Sequence, residues 1–496
     1  MYLLESIETW ESFMIEPLEA RIMLTVIPGI YGLDNTAVHD AGNGSVLVTS
    51  ETTDDAAVMI LKFGPDGSAD KHFGGDGMVF IGGAGYIDNL RTQPDGKILV
   101  LTGGYQPWAT LYRLNANGEP DLSFGKGGRV TLGNQLEWSG KIILHEDGRI
   151  TIVQIHAGSN VAVWRLTADG KLDPTFGGGQ PVRLQAPAPI VNVAQASLGE
   201  RGELNLALTS QGSSGGFVRL GADGTIEKSA AAGDNRDYLD WNILPDDRIL
   251  SIEEDEIDQD LLILRRYDAQ GTPDPSFGDG GVSRIVRNDW SFVTQPSTQL
   301  PDGRTAIGFF TRNSGTELLV IDRQGAPDAA FGDGGWLVTD EVSDPNRFLT
   351  RWMDFSVTAQ GDILEMHRRD AMVPSPALGT DQLVIQLIGP GGQLIGAFGT
   401  GGRITLDIDP ALAPTFDQID APTAIPDEAN PAAPDPTPPG DAEMPLRTDP
   451  AIVPAPTLAA PVFPLDSAPG QDRARLFAMI PRRSLLGQLE DDLLLL

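Results

Sequence analysis

The sequence contains no cysteine, so it can build neither a disulfide framework nor a thiolate metal site. Basic residues are scarce, with 35 Lys and Arg against 69 Asp and Glu and a formal net charge of −34. Because phosphate backbones are held by clustered basic side chains, we do not expect nucleic acid as a partner. No apolar run approaches the ~18 residues that a membrane-spanning helix needs, so no membrane span is expected. The absence of cysteine fits an exported protein as well as a cytosolic one.

Glycine and proline are abundant, with 58 and 37 copies, which is typical of a turn-rich chain. The first thirty residues do not have the basic start, apolar middle and small-residue cleavage site of a secretory signal peptide, since Glu5, Glu8 and Glu11 crowd the beginning. Export by the standard route is therefore not expected from this segment.

The stretch LDPTFGGG at 172–179 has relatives along the chain that share the pattern Asp-x-x-Phe-Gly. Successive Phe residues are 51, 52, 101, 54 and 67 residues apart, and the gap of 101 covers two periods. A degenerate copy of the repeat, 222–234, lies in the middle of this gap. It keeps an Asp-Gly turn but has lost the Phe. The pattern residues are Asp70, Phe73, Gly74, Asp121, Phe124, Gly125, Asp173, Phe176, Gly177, Asp274, Phe277, Gly278, Asp328, Phe331, Gly332, Phe398 and Gly399.

A second landmark, a turn followed by an apolar run, repeats with the first. It is seen as PDGKILV at 94–100 and occurs seven times. Two independent landmarks at a period of about fifty residues predict seven structural units.

Each landmark predicts a local structure. An Asp-Gly turn between apolar runs predicts a strand, a tight turn and a strand. Runs such as ATLYRLNANG at 109–118 are interpreted as the fourth strand of a unit. In Asp-x-x-Phe-Gly the carboxylate can accept hydrogen bonds from N–H groups two or three residues on, which directs the Phe inward. We interpret this pattern as the corner between successive sheets, where its glycine permits a positive φ.

A basic or polar residue stands five positions before the turn glycine in six units. We expect these residues to pair with the corner carboxylates; they are Lys62, Arg113, Arg165, Arg219, Arg266 and Gln386. Both partners are interpreted as structural, because identical residues at every corner cannot all face one substrate.

Four short strands in each unit of about fifty residues match a β-propeller blade, in which radial repetition leaves only short protected edges. The predicted fold class is all-β, a seven-bladed β-propeller followed by a disordered, Pro-rich C-terminal tail. An open β-solenoid is the alternative, but its coils are usually shorter and do not need four turn signals each.

The sequence WRLTADGKLDPTFGGG, at 164–179, resembles the delta-60 repeat of bacterial surface and exported proteins. The resemblance covers residues ~35–406, with the Phe lost in the fourth unit and Ile395 in place of the expected Asp in the seventh. The resemblance implies a propeller-like fold; the family has no established activity, so it implies little about function.

The segment EPLEARIMLT at 16–25 is similar to the LEPR-XLL motif that begins many exported proteins of environmental bacteria. Leu18, Glu19, Arg21 and Leu24 match that motif, whereas Ala20 and Met23 depart from it. This resemblance implies a location in the cell envelope or outside the cell.

The predicted organisation has four parts: an N-terminal segment (1–30), the propeller (31–406), a linker (407–470) and a short amphipathic C-terminal segment (471–496). The linker holds 16 of the 37 prolines and 11 acidic residues against one base, so it is interpreted as a disordered, semi-stiff spacer. The last segment, interrupted at Pro481, is interpreted as helix that packs or frays, and the alternative is an export or anchoring signal.

Catalytic and metal motifs are weak. Ser214 lies in a formal Gly-x-Ser-x-Gly match without the strand-turn-helix context of a nucleophile elbow. The histidines, which are dispersed among units and predicted to be at the surface or half-buried, are His39, His72, His145, His156 and His367. Acidic loops at 49–57 and 252–260 could offer oxygens to calcium, but neither has a calcium-binding spacing, so no cofactor is expected and calcium at these loops is the alternative.

Because strands in an up-and-down blade alternate in direction, the Asp-Gly turns and the corners must share one face, and the irregular connections share the other. Loops on a rigid scaffold often carry recognition, so the variable face is the predicted binding face. Its candidate contacts for glycan or protein are Tyr105, Trp108, Arg351, Trp352, Arg368 and Arg369. Ordinary rim packing is the alternative reading of these side chains.

These features favour a non-catalytic scaffold, exported or at the cell surface, that binds a protein or a polysaccharide. The alternative is a propeller hydrolase or lyase acting on polysaccharide, which would need clustered carboxylates or a metal at the central channel.

Overall fold

The computed structural model divides into units 1–449 and 450–496, and every residue it describes lies in the first unit. The N-terminal segment except 26–28, both acidic-loop cores (52–56 and 255–260) and nearly all of the tail fall outside the described residues. The described ranges are 26–28, 36–51, 57–75, 77–82, 86–103, 108–134, 140–156, 160–185, 190–199, 201–210, 213–231, 238–244, 248–254, 261–268, 272–286, 291–293, 297–311, 315–340, 348–371, 381–409 and 424–425.

The described strands form seven sheets, each built around consecutive antiparallel strands of one repeat. In chain order they are β1 (Val26–Pro28); blade 1, β2 (Ala37–Gly42), β3 (Ser45–Glu51), β4 (Ala57–Phe63) and β5 (Met78–Gly82); blade 2, β6 (Tyr86–Thr92), β7 (Ile98–Gly103), β8 (Trp108–Leu114) and β9 (Arg129–Asn134); blade 3, β10 (Gly140–Leu144), β11 (Ile150–His156), β12 (Asn160–Leu166) and β13 (Val182–Gln185); blade 4, β14 (Ile190–Leu198), β15 (Leu204–Ser210), β16 (Ser213–Leu220) and β17 (Ile226–Ala231).

The later strands follow the same plan, with the first strand of blade 6 in two pieces that both pair with β24. They are blade 5, β18 (Tyr238–Ile243), β19 (Ile249–Glu254), β20 (Leu261–Tyr267) and β21 (Val282–Val286); blade 6, β22 (Ser291–Val293), β23 (Thr298–Gln299), β24 (Thr305–Thr311), β25 (Gly315–Ile321) and β26 (Trp336–Asp340); blade 7, β27 (Phe348–Val357), β28 (Ile363–Ala371), β29 (Asp381–Ile388) and β30 (Arg403–Asp409); and β31 (Ala424–Ile425). The predicted seven-bladed β-propeller is confirmed.

The first strand of each blade lies nearest the central axis. Strand β2 contacts β27 on one side and β6 on the other, and β10 and β14 continue the series to β18. Neighbouring blades meet along their inner strands only if those strands surround the axis. Because blade 7 contacts blade 1 through β27 and β2, the ring is closed, and the fourth strand of each blade is outermost.

Two short strands cover the outer edges beside the closing contact. Strand β1 pairs in parallel with β30 of blade 7, with Ile27 opposite Ile408. Strand β31 pairs in parallel with β5 of blade 1, with Ile425 opposite Ile81. Each end of the propeller therefore contributes one strand to the blade formed by the other end.

The hydrophobic core lies between blades. In β7 every residue is buried, since Ile98 and Val100 pack with blade 1 whereas Leu99 and Leu101 pack with blade 3. Successive side chains of a strand point to opposite faces, and both faces of a propeller blade meet a neighbour. This explains why the second strands carry unbroken apolar runs instead of alternating patterns.

One strand assignment made from the sequence is wrong. The run at 109–118 belongs to β8, which is the third strand of blade 2, and the fourth strand is β9, where Val130 pairs with Leu111. The corner therefore joins two strands of one blade instead of passing between sheets. The outer strand needs only one apolar face, so its weak pattern in RVTL was read as the start of the next unit.

Candidate functional site

The aspartate of each corner braces the turn that follows it. Oδ1 of Asp121 accepts hydrogen bonds from Ser123 N at 3.1 Å and Ser123 Oγ at 2.6 Å. Burial opposes the charge of Asp121, but the bonds from Ser123 and Lys97 and the charge of Arg113 keep its pKa below the ordinary value. The same bond to the second residue on is made by Asp70, Asp173, Asp274 and Asp328.

A basic side chain joins the corner to the next blade. The guanidinium of Arg113 lies 4.3 Å from the centroid of the Phe124 ring, and its Nε donates to Asp121 Oδ2 at 2.8 Å. Its Nη1 donates to the carbonyl of Ala168, which belongs to blade 3. Arg266 and Lys62 make the equivalent three contacts in blades 5 and 1.

The corner glycine also reaches the next blade through its backbone. Gly125 N donates to Asp169 O in blade 3 at 2.9 Å. We call this assembly of corner glycine, phenylalanine and neighbouring turn the blade latch. The glycine bond occurs at six seams, from Gly74 to Asn117, Gly125 to Asp169, Gly177 to Asp223, Gly278 to Gln324, Gly332 to Gly391 and Gly399 to Asp66.

Blade 4 has no latch. Five residues, 221–225, join β16 to β17, whereas fourteen residues, 115–128, join β8 to β9. The Asp-Gly turn of blade 4 closes a simple hairpin, and the corner that would follow it is deleted. The degenerate copy of the repeat in the sequence therefore corresponds to a seam, between blades 4 and 5, that is built differently from the other six.

The phenylalanine of a latch packs against a turn glycine of the next blade. Substitution of that glycine, compared with substitution of an open glycine, tests the packing. A Cβ at Gly118, whose φ is +87°, would lie 2.5 Å from Val79 Cγ2 and 3.1 Å from the Phe73 ring, whereas one at Gly127, whose φ is +66°, would meet nothing within 4 Å. Alanine at Gly127 should cost about 1–2 kcal/mol from its positive φ alone. Alanine at Gly118 should cost about 1–3 kcal/mol more, because it also overpacks the seam.

Denaturant unfolding of the two glycine variants separates the cost of the positive φ from the cost of overpacking the seam. An equal loss of unfolding free energy in both would contradict close packing of the turn against Phe73.

Three of the six predicted carboxylate pairs form, those of Lys62, Arg113 and Arg266. Arg165 instead donates to Thr151 Oγ1 at 3.1 Å and to the Ala222 carbonyl in blade 4. Arg219 donates to Asn205 and Gln386 to Glu365, because blades 4 and 7 have no aspartate at the corner.

A second basic position was missed in the sequence. The residue directly after the first turn contacts the corner carboxylate in four blades, and the pairs are Lys97–Asp121, Arg149–Asp173, Arg248–Asp274 and Arg304–Asp328 at 3.1, 3.4, 3.0 and 2.7 Å. Since this residue adjoins the turn landmark itself, its repetition was a readable signal.

Polar side chains join the inner strands around the channel. Asn89 Oδ1 accepts from Ile142 N at 3.1 Å, and Asp354 Oδ2 accepts from Val38 N at 3.0 Å. Gln195 accepts from the backbone N–H of Ile243. Each acceptor lies seven residues before the turn glycine of its blade and bonds to the following blade, so blades 2, 4 and 7 use one repeated device.

Charged side chains also lie on the first strands of the blades, beside the central channel. Burial raises the pKa of Asp354 to about 6, although the charges of Lys141 and Arg91 oppose the rise. Burial and the charge of Arg91 lower the pKa of His39 to about 3, so this imidazole is neutral near pH 7. The Arg91 side chain is exposed to solvent, yet burial lowers its pKa, which fits a side chain enclosed by a channel that water enters.

Asp354→Asn should remove a pH dependence of stability. A carboxyl whose folded pKa is raised stabilises the fold fully below its ordinary pKa of about 4, and that contribution is lost as pH rises through about 6. The variant keeps an acceptor for Val38 N, as Asn89 does for Ile142 in blade 2. At pH 7.5 it should therefore be more stable than the parent, on the order of 2 kcal/mol.

Urea unfolding between pH 4.5 and 7.5 measures this difference. Asn89→Asp is the reciprocal control and should introduce the same slope. Parallel pH profiles for the parent and Asp354→Asn would contradict the assignment.

Buried polar side chains meet where blade 6 packs on blade 7. Asp340, which is 1% exposed, accepts hydrogen bonds from Thr350 Oγ1 at 2.5 Å and from Arg369 Nε at 3.1 Å. His367 is 0% exposed, with its Nδ1 2.9 Å from Glu365 Oε1 and its Nε2 3.6 Å from Asp340 Oδ2. The expectation that the histidines lie at the surface or half-buried is wrong for His367, since a buried carboxylate replaces water as its partner.

The predicted binding residues are placed unevenly. Tyr105 lies outside the described residues, and Trp108, Arg351 and Trp352 lie in β8 and β27, where only the backbone is described. Arg368 is 8% exposed, and the side chain of Arg369 is 27% exposed while it pairs with Asp340. The binding role of these six residues stays a prediction.

The two faces differ in their connections. One face carries the blade latches, and we call it the latch face. On this face five residues join the first two strands in blade 2 (93–97), and the same number do so in blade 3 (145–149). On the opposite face the connection between second and third strands ranges from two residues in blade 4 (211–212) to nine in blade 7 (372–380). Recognition by loops is therefore expected at the second face.

Other features of the described residues bear on chemistry. Ser214 lies within β16 and not at a strand-to-helix turn. Within the described ranges, no group of three or more His, Asp or Glu side chains is placed to hold a metal ion. In the same ranges no helix is long and apolar enough to cross a bilayer.

A family model described as "Domain of unknown function (DUF5122) beta-propeller" matches residues 93–124 and 146–176, which lie in blades 2 and 3. Blades 2 and 3 of this seven-bladed β-propeller are therefore similar to the repeats of a β-propeller family. No curated protein matches the sequence.

Several solved structures are similar to this chain. The BP39L lectin from Burkholderia pseudomallei is 9% identical, with 75% of this chain and 98% of that one covered and a TM-score of 0.44. The β-propeller domain of the Trilobed protease from Pyrococcus furiosus is 12% identical, covering 79% and 99%, with a TM-score of 0.40. A quinonprotein alcohol dehydrogenase-like protein from Bacteroides thetaiotaomicron is 13% identical, covering 63% and 68%, with a TM-score of 0.38.

Proposed function

We propose that this chain is a non-catalytic binding scaffold, exported or displayed at the cell surface, that recognises a protein or polysaccharide with the face opposite the blade latches. The observation that carries this proposal is the contrast between faces. On one face the first turn has five residues in six blades and the corner has fourteen residues in five blades, whereas on the other face the connections between second and third strands have two to nine residues. A scaffold that holds variable loops in fixed positions is suited to recognition.

The repeated pattern of side chains on the latch face also supports the proposal, because these side chains have structural partners. The corner carboxylates bind their own turns and adjacent cations, and the phenylalanines are buried between blades. These groups hold neighbouring blades together, so the positions of the loops on the other face are fixed by the ring.

The proposed location rests on the sequence. The LEPR-XLL-like segment at 16–25 and the Pro-rich stretch at 407–470 fit an exported protein. Residues 407–409 end β30 and 424–425 form β31, and we propose that the rest of this stretch is a spacer before the C-terminal segment.

The rival function is that of a polysaccharide hydrolase or lyase. It would need carboxylates that face one another at the channel. The corner carboxylates are instead distributed over five blades, each held by its own turn. In the channel, Asp354 lies within electrostatic reach of the cations Arg91 and Lys141. This distribution favours the binder, for which we propose no cofactor.

The test is a binding screen of the full chain against purified bacterial and plant polysaccharides and cell-surface protein fractions. Replacing 372–380 with nine Gly and Ser residues, or Tyr105 and Trp108 with alanine, should reduce binding. The control is Leu122→Ala with Ile226→Ala, two side chains that are 75% and 58% exposed at the latch-face turns, and it should leave binding unchanged.

Equal binding by all loop variants, or loss in the latch-face control, would contradict the proposal. Release of shorter oligosaccharides from a polysaccharide over time would support the rival function instead.

A further inference from the structure

Arg91 occupies an unusual place for an exposed cation. It lies on β6, one of the strands nearest the axis, with β2 and β10 on either side. Its neighbour Leu90 is fully buried and packs with blade 1, whereas Arg91 itself is exposed. Arg91 of blade 2 lies within electrostatic reach of Asp354 in blade 7, which is not a neighbouring blade, so the Arg91 guanidinium faces the central channel.

The guanidinium retains donors for a ligand. An arginine has five N–H donors in a planar fork. To the described residues this fork donates one hydrogen bond, from Nη1 to the adjacent Leu90 carbonyl at 2.9 Å. Of the groups within electrostatic reach of Arg91, the Asp354 carboxylate accepts from Val38 N through Oδ2, and the His39 ring is neutral near pH 7.

We propose that Arg91 anchors a binding site for a carboxylate group in the central channel. A guanidinium matches a carboxylate through two parallel hydrogen bonds, and such charge-assisted pairs are strong where water is restricted. The Asp354 carboxylate lies within electrostatic reach of the Arg91 guanidinium, so the ligand should carry a single negative charge. A dianionic phosphate would place its second charge near Asp354 and is disfavoured.

This site is separate from the variable loops, so it stands or fails independently of the proposed function. The carboxylate could belong to an acidic sugar or to a small free acid. Two probes distinguish these sources: D-glucuronate carries the carboxylate on a sugar ring, and acetate carries it alone. D-glucose is the neutral counterpart of glucuronate, and inorganic phosphate tests selectivity for a monoanion.

The experiment is calorimetric titration of the full chain with each probe, at constant ionic strength and pH 7.5. Glucuronate should bind and glucose should not, and phosphate should be weaker than glucuronate. Binding of acetate at equal strength would assign the site to the carboxylate alone, whereas a clear preference for glucuronate would assign it to an acidic sugar. Absence of binding by both carboxylates would overturn the proposal.

Two variants with opposite expected effects on binding make the test specific, because one removes a positive charge and the other removes a negative charge. Arg91→Gln should weaken glucuronate binding by about 10- to 100-fold, since it removes a charge-assisted pair. Asp354→Asn should strengthen binding, because it removes the nearby negative charge and retains the bond to Val38. Lys171→Gln, a charge loss at a side chain that is 79% exposed outside the channel, is the control and should have no effect. Unchanged binding in Arg91→Gln, or weaker binding in an Asp354→Asn variant whose thermal transition is no lower than that of the parent, would contradict the site.

Discussion

Phe124→Ala should lower the free energy of unfolding by about 3–5 kcal/mol, the usual loss when a wholly buried phenylalanine is truncated to alanine. The Phe124 ring is 0% exposed and lies between the Arg113 guanidinium and the turn of blade 3, where a Cβ at Gly170 would approach its Cε2 to 2.9 Å. Its removal leaves a cavity between two blades that a closed ring cannot readily collapse.

Leu122→Ala is the matched control for this variant. Leu122 lies two residues earlier in the same corner, and it is 75% exposed. Its truncation should change stability by less than about 0.5 kcal/mol. Equilibrium urea unfolding, followed by tryptophan fluorescence and circular dichroism together, measures both variants. Similar small losses in both would show that the phenylalanine does not hold the seam.

Asp340→Asn should cost about 3–5 kcal/mol, because it removes the charge that compensates a partly buried arginine. Burial alone would raise the pKa of Asp340, but Arg369, His367 and Thr350 together hold it below the ordinary value. A carboxylate with a lowered folded pKa stabilises the protein above its ordinary pKa of about 4, and this contribution is lost as pH falls through the folded pKa. The loss in the variant should therefore be full at pH 7 and shrink at acidic pH.

Two further variants complete the test. Asp333→Asn, at an exposed carboxylate in the same blade, should be nearly neutral. Asp340→Asn combined with Arg369→Met should recover part of the loss, because the unpaired charge is gone. If the double variant were as unstable as the sum of the single ones, Asp340 and Arg369 would not be coupled.

Local patterns in the sequence were sufficient for the architecture. The Asp-Gly turns and the Asp-x-x-Phe-Gly corners depend on residues within a few positions of each other, so their spacing shows the number and period of the blades. The brace from Asp121 to Ser123 is likewise local. The deletion in blade 4 was visible as a lost Phe, although its structural meaning, a hairpin without a corner, was not.

The features that the sequence did not reveal join residues from different strands or blades. Arg369 and Arg368 were interpreted as contacts on a loop, but Arg369 donates to Asp340 on another strand, and Thr350 on a third strand donates to the same carboxylate. The corner bonds to the next blade through Gly125 and Asp169, a partnership across 44 residues with no local signal. Which strand lines the channel depends on the ring itself, so Arg91 could not be assigned to it from sequence.

The latches also imply that the seven seams are unequal. Six carry the bond from the corner glycine to the next blade, and the seam between blades 4 and 5 relies on a small cluster with the bond from Ile243 N to Gln195 Oε1. That cluster comprises Ala207, Phe217, Ile243 and Ile249, with Tyr267 packed against it. Local opening should begin where the fewest buried groups hold two elements together.

Hydrogen–deuterium exchange of the full chain, resolved by peptide, tests this central claim most directly. The inner strands β14 and β18 on either side of the unlatched seam should exchange before β6 and β10, which flank a latched one, and Phe124→Ala should bring the exchange of β6 and β10 forward to match. Uniform protection of all inner strands in the parent, or exchange that begins at a latched seam, would contradict the latch as the element that holds the ring closed.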